Sequence, residues 1–565
     1  MWAMMEKERA IFNLRIKRNN LFLKLLSVFV LFLFIYDVNF YTVSAQKTEV
    51  NQTQRIQPSD LIYRGAFRLP AGTSDVKTWA WGGYAMTYYP GGDAGGPADG
   101  YPGSIYGAGH AWEHQISEIS IPVPVISGSK NVNDLNTATT LQGFQDVLNV
   151  SNLEIPRTAI AYLPAQGSQS TGKLHMAWGY HMQEGPANET HAWGELNLAD
   201  FRRQGDWHLA SLPMHYQNMS TNDYMSDIPH AWATSHTQGR LLATGRYRDG
   251  GWGGEGPSLF AIAPWSQGNP PANNTALQNT PLLLYTSTYI NPDVHHTMTN
   301  YSHADEWSGM VWATAGGKAA VIFVGTKGTG DTWYGNEQGP CLECDNRGWW
   351  ATGFEAQFVF YDPNDLAMVA AGTMQTYEPQ PYATLNVDQY LYHITSTQQK
   401  HHLGAACFDR SGQYLYVLEV FADGDEKDRP IVHVWEIPST TNPEPDIKGN
   451  DSNGPLSVSS GTPVSVTVSL NPGSYDAQNA DWWVVELAPS GTFNCYNLST
   501  GSMAPDFFPT HQGPLFSLGA TQLLNSSDLT VGTHTFYFGV DLNMNGSLDM
   551  DSIYYDSVGI KVTGP

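Results

Sequence analysis

The sequence predicts an all-β protein, a β-propeller followed by a small β-sandwich, and three observations predict it. One pattern returns five times between Trp79 and Ile437: an apolar strand, a Gly-containing turn, a second apolar strand, a long polar loop and a third apolar strand. The 565 residues include 55 Gly and 34 Pro, with few stretches rich in Ala, Leu, Glu and Lys, which favours turns and strands over helices. A change of composition at Pro438 then separates the repeats from a last stretch of short, alternating strands.

The clearest copies of the pattern are Ile228–Trp265 and Leu403–Ile437, and looser ones are Trp79–Pro122, Pro156–Leu198 and Ser308–Pro363. First strands are expected to begin near Ala85, Ala159, Ala231, Val311 and Ala405. A spacing of roughly 70–95 residues is long enough for a four-stranded unit with insertions. Such a sheet cannot bury both faces alone, whereas radial stacking buries them against one another and leaves only short edges. The count is five blades, or six or seven if Gly268–Asn291 or Phe354–Asp388 supplies further strands.

Met1–Ala45 reads as a signal peptide. A basic segment (Lys7, Arg9, Arg15, Lys17, Arg18) precedes the apolar run Leu25–Tyr36, and Val43-Ser44-Ala45 offers small residues for cleavage. A membrane anchor would need about 20 apolar residues, and Lys24 and Asp37 bracket a shorter run. The expected location is therefore secreted, periplasmic or cell-surface, with no stable membrane span after cleavage. This segment holds six of the 28 basic and three of the 53 acidic residues, so the remainder has 22 against 50. A surface that negative repels nucleic acid and anionic lipid and favours divalent cations.

Gln46–Ser59 is a polar leader into a strand at Leu61–Leu69, and the propeller is expected over Gln46–Ile437. Pro438–Pro445 is a Pro-rich linker by composition, with three prolines and no apolar period. Residues 446–565 then read as an immunoglobulin-like β-sandwich, with strands in Leu456–Leu470, Trp482–Leu487, Gly532–Val540 and Val558–Val562. Of four cysteines, Cys341 and Cys344 form a CxxC in a long loop, a candidate local disulfide in an exported chain. Asp345 stands where covalent haem attachment would need His.

Within the sandwich, Asp541, Asn543, Asn545 and Asp549 place side-chain oxygens at the alternate positions of a calcium loop, with Gly546 at the sixth. The twelfth position is Ser552 rather than a bidentate Glu. Two readings stay open: a structural calcium ion, or an Asn/Gly-rich turn that needs none.

In a propeller, the loops leading into the first strands and those after the second strands share one face. His230, His303 and His402 each stand a few residues before an expected first strand, with Asp305 and Glu306 beside His303. Imidazole with carboxylate suits a transition metal held by His230, His303, His402 and Asp305. Without a metal, His303 and Glu306 suit proton transfer at a sugar carbon, with Arg246 or Arg248 neutralising the developing charge. Histidines in turns also commonly do no more than bond neighbouring carbonyls. Trp residues in or beside loops, many next to Gly, among them Trp79, Trp81, Trp112, Trp193, Trp252 and Trp307, suit stacking on sugar rings or wedging between sheets. The turns on the other face, such as Gln166–Gly172 and Arg410-Ser411-Gly412, carry no chemistry in this reading.

The segments Gly253–Trp265, Ala319–Gly335 and Phe358–Gly372 resemble exported bacterial β-propeller proteins, and Phe536–Asp549 is similar to a β-sandwich appended to bacterial surface proteins. The resemblance implies fold and export, and no activity. Three function classes follow. The first is a carbohydrate-active or carbohydrate-binding protein, metal-assisted polysaccharide lyase or hydrolase chemistry being one form of it, with a polysaccharide or cell-surface glycan as partner. The second is a non-catalytic surface or adhesion protein. The third is a metal-dependent periplasmic oxidoreductase.

Overall fold

The computed structural model describes residues 54–93, 100–149, 158–179, 189–210, 221–247, 255–285, 296–335, 348–424, 429–439, 442–475, 478–550 and 552–564. The described residues from Gln54 onward belong to one compact unit, and their architecture is all-β, with two short α-helices.

Five sheets hold the strands between Gln54 and Glu436, antiparallel except for two short parallel edge strands, Gln54–Arg55 on sheet IV and Ala276–Leu277 on sheet II. Sheet I comprises Met86–Tyr89, Ser104–Ala108, Ile116–Ser120 and Thr140–Gln145. Sheet II comprises Thr158–Leu163, Lys173–Trp178, His191–Gly194 and Gln204–Leu209. Sheet III comprises Tyr224–Asp227, Leu242–Gly245, Leu259–Ile262 and Asn279–Leu283. Sheet IV comprises Glu306–Ala315, Lys318–Tyr334, Trp349–Tyr361 and Ala383–Asn386. Sheet V takes Leu403–Asp409, Tyr414–Asp423 and Arg429–Glu436, and its fourth strand is Ile62–Arg68 from the other end of the chain. The segments Gly268–Asn291 and Phe354–Asp388 contribute strands to sheets II to IV, and the described residues form no sixth sheet in this region.

These strands read as nearly continuous apolar runs because both of their faces are covered. In Glu306–Ala315, Met310 and Trp312 enter a core shared with sheets II and III, while Val311 and Ala313 enter one shared with sheet V. Further cores join sheet V to sheet I and sheet I to sheet II. Each fully buried Val, Leu or Phe in them contributes about 1.5–3 kcal/mol. First strands touch in the closed order I, II, III, IV, V and back to I. They approach closely because their residues are small. A Cβ added to Gly404 would lie 1.9 Å from the Gly83 carbonyl oxygen, and one on Gly309 would lie 2.6 Å from the Ala406 nitrogen. A void of only about 10 Å³, touched by Ala85, Ala159, Tyr224, Gly309 and Ala405, remains where they meet.

Side chains fasten the fourth strand of sheet V. Tyr63 Oη lies 2.9 Å from His433 Nδ1, and His433 Nε2 lies 2.8 Å from Glu419. Arg68 donates to both oxygens of the fully buried Asp423 at 3.0 and 3.1 Å, and Arg429 donates to the same carboxylate at 2.8 Å.

The expected first strand at Ala231 is a correction. The strand of sheet III is Tyr224–Asp227, and His230–His236 is an α-helix. Its Ala-Trp-Ala run supports helix, and the hydroxyls of Thr234 and Ser235 bond back to the carbonyls of His230 and Ala231. Trp232 fixes the helix by packing on Trp312, ring centroids 4.4 Å apart.

Beyond sheet V, a strand at Glu444–Gly449 begins inside the expected linker, pairing with Val464–Asn471. With Leu518–Ser526 these make a three-stranded sheet. It faces a seven-stranded sheet that includes Asn479–Leu487, Gly532–Asp541 and Ile553–Thr563. Val464, Val466 and Val468 on the first meet Trp482, Phe536 and Ile560 on the second. Alternation with period two survives in Val464–Asn471, whose other face is wet, whereas Asn479–Leu487 is covered on both faces, Trp483 and Val485 packing in a second cluster with Cys495. Among the described residues no helix is long and apolar enough to cross a membrane.

Candidate functional site

The five sheets have two ends. At one, the chain leads into the first strands, and we call it the approach end. At the other, first strands turn into second strands, and we call it the turn end.

At the approach end, Asp305 is buried and accepts from Ser302 N, Gly328 N and Lys327 Nζ, each at 2.9 Å. Burial pushes its carboxyl up to about 6, against the downward pull of Lys327. Glu306 has Lys400 Nζ at 3.2 Å and His401 Nδ1 at 3.3 Å, an arrangement for ion pairing. His303 stacks on Trp349, with centroids 4.4 Å apart. His402 is enclosed: Nε2 donates to the Gln399 carbonyl at 2.8 Å, and Nδ1 lies 3.4 Å from Asp388.

The structure does not gather His230 with His303 and His402. The helix that replaces the expected strand carries His230 to the turn end, and His402 is spent on its own loop. Among the described residues no three His, Cys, Asp or Glu side chains are grouped as a metal would require. Arg248, Trp252, Cys341 and Cys344 lie outside the described residues. Cys407 and Cys495 are buried free thiols. Trp79, Trp193 and Trp307 fill cores, whereas Trp81 and Trp112 reach the surface.

The turn end holds what the sequence reading passed over. A cavity of about 790 Å³ opens among the far ends of the first strands of sheets I, II, III and V. Its walls include Tyr88, Tyr162, Asp227, His230, Asp409 and Arg410. The first strands of sheets III and V run apolar and then end on polar residues at the cavity, Met225-Ser226-Asp227 and Phe408-Asp409-Arg410. Arg410 ties three sheets together. Its Nε donates to Asp227 Oδ2 at 2.6 Å, its Nη2 to the Asp227 carbonyl at 2.8 Å, and its Nη1 to the Trp312 carbonyl at 2.6 Å.

Asp409 is fully buried, and its Oδ1 accepts from the Ser411 N–H at 2.9 Å and the Ser411 hydroxyl at 2.7 Å. Its Oδ2 has no hydrogen-bond partner among the described residues. Burial and the Asp409 charge raise the Tyr88 hydroxyl, keeping it protonated. Burial likewise raises the Cys407 thiol far above its usual range, so it stands in the wall as an inert group. The sequence signal was the charged pair Asp409-Arg410 directly after an apolar strand. Asp227 was hidden by the misplaced strand at Ala231.

In the seven-stranded sheet, Asp481 and Asp541 are paired across neighbouring strands, and both are buried. Asp481 Oδ2 accepts from Asn545 N and Gly546 N, and Asp541 accepts from Asn543 N, Asp549 N and the Ser552 hydroxyl. The side chains of Asn543 and Asn545 converge on Asp549 Oδ2 at 2.6 and 2.8 Å. Gly546 sits at φ +78°, the left-handed turn its position requires.

No protein-family model matches the chain. No curated protein matches it in sequence.

Proposed function

We propose that this chain is an exported carbohydrate-binding protein, in which the five sheets are blades of a β-propeller and residues 446–565 form an immunoglobulin-like sandwich behind a short linker. The closed order of first-strand contacts and the completion of sheet V by Ile62–Arg68 support the propeller. The observation that carries the binding reading is the turn-end cavity. Its volume of about 790 Å³ suits a small saccharide. Tyr88 and Tyr162 supply aromatic surface for the C–H faces of a sugar ring, while Asp227, Ser226 and Ser411 supply acceptors and donors for hydroxyls. Binding without catalysis is favoured because Arg410 is committed to structural bonds and the approach-end acids Asp305 and Glu306 are paired.

Screening the purified protein on a glycan array tests this. Retention of a glycan is expected, with affinity at least tenfold lower in Tyr162→Ala, which removes an aromatic wall. An unchanged affinity in that variant, or no retained glycan, refutes the assignment.

The loop Asp541–Ser552 forms a separate part of the proposal, a structural calcium site. Its support is the convergence of Asn543, Asn545 and Asp549 on one point. Turning each amide about its last bond would present oxygen there in place of nitrogen.

A further inference from the structure

We infer that a second pocket at the turn end, between sheets II and III, holds the carboxylate of an acidic sugar, so that the glycan taken is one containing uronate. The inference rests on the carbohydrate reading of the neighbouring cavity and narrows it. The pocket has a volume of about 440 Å³, and its walls include the turn residues Gly167 and Ser168 together with Gln238, Arg240, Trp265 and Gln278. Ser168 Oγ donates to the Trp265 carbonyl and ties the walls together. Gly167 also lines the turn-end cavity, so a chain of sugars lying in that cavity passes directly into this pocket.

The charge balance singles out Arg240. The chain has 53 acidic residues against 28 basic ones, and every other arginine among the described residues has a carboxylate oxygen at 3.7 Å or less. Arg240 has none among the described residues, and no Asp or Glu lines its pocket. Its Nη1 donates to the Thr237 carbonyl at 3.1 Å and to Gln238 Oε1 at 3.2 Å. Those bonds fix the guanidinium and leave its Nε–Nη2 edge without a partner among the described residues, with neither nitrogen enclosed. Partial burial lowers the group from its ordinary value, and no carboxylate opposes that effect. A cation that has lost water and found no counter-ion gains most from a ligand that brings the missing charge. Two neighbouring N–H groups on one edge match the two oxygens of a planar carboxylate. Because Gln238 turns its oxygen to Arg240, its amide nitrogen remains as a further donor. An ammonium group would meet like charge here, and a hydroxyl would leave the charge unanswered.

The test uses the full chain and four tetrasaccharides with one β-1,4-linked backbone that differ only at carbon 6: hydroxymethyl, its sulfate ester, carboxylate and the carboxylate's methyl ester. Benzoate serves as a carboxylate without a sugar. Calorimetric titration should give the carboxylate form a Kd at least about tenfold below those of the hydroxymethyl and methyl ester forms. Arg240→Gln should bring that ratio to within about twofold. The methyl ester removes the charge from the ligand and leaves the protein unaltered, so its weaker binding is a readout that does not depend on how the variant folds.

Equal binding of the hydroxymethyl, carboxylate and methyl ester forms overturns the uronate inference and leaves the carbohydrate reading standing. Benzoate binding that Arg240→Gln abolishes, without binding of any saccharide, does the reverse, keeping the anion site and removing the sugar. A carboxylate preference that survives Arg240→Gln places the selectivity elsewhere and overturns the inference, as does tighter binding of the sulfate ester than of the carboxylate. Silence from all five ligands overturns both.

Discussion

Among single residues, Asp305 shows how burial and pairing oppose each other. Its carboxyl is pushed up to about 6 in the folded chain, above the ordinary value of 3.8. The folded state therefore holds the proton more tightly, and this residue's contribution to stability falls as pH rises from about 4 to about 6. In Asp305→Asn the titration is gone. The deficit of that variant relative to the unaltered protein should thus shrink by about 2 kcal/mol between pH 4 and pH 7. Chemical denaturation of both proteins at the two pH values measures it, and a deficit that stays constant or grows removes the burial argument. His175 and His191 work in the other direction. Burial lowers both to about 3, so each contributes stability at neutral pH that is lost as pH falls from about 6.5 towards 3.

For individual elements, the loop after Gly532–Asp541 offers a direct test. Calcium bound only to the folded state stabilises it by mass action, by about 2.7 kcal/mol at a concentration one hundred times Kd. Saturating calcium should therefore raise the melting temperature of the full chain, and excess EDTA should reverse the shift. Asp541→Ala should abolish the response, and no shift in either direction would leave a turn held by its own amides. This loop was legible because its spacing is local. Asp481, which completes it, was not, since strand pairing alone brings it beside Asp541. The same division runs through the five sheets. First strands near Ala85, Ala159, Val311 and Ala405 were readable from continuous apolar runs. The helix His230–His236 was not, because its apolar content matches a short strand and only docking on Trp312 decides between them. That one misplacement moved His230 to the wrong end and concealed Asp227, and with it the cavity.

On the scale of the whole molecule, the proposed boundary lies between sheet V and the strand Glu444–Gly449. Brief proteolysis should cut within Pro438–Pro445 and release two folded pieces, since exposed proline-containing connectors are preferred sites. Cleavage inside the five sheets first, or a single resistant fragment, would argue against a separate sandwich. Five sheets closed by a strand from the far end also set an order of events during synthesis. Ile62–Arg68 leaves the ribosome early, yet its partner Arg429–Glu436 follows hundreds of residues later: Tyr63 and His433 are 370 positions apart. At about 5–20 residues per second the strand waits roughly 20–70 s with its backbone unpaired, open to any other strand it meets. An early-made strand thus completes the last of the five sheets, so how much newly made protein reaches its finished form depends on Ile62–Arg68 staying unpaired until Arg429–Glu436 emerges.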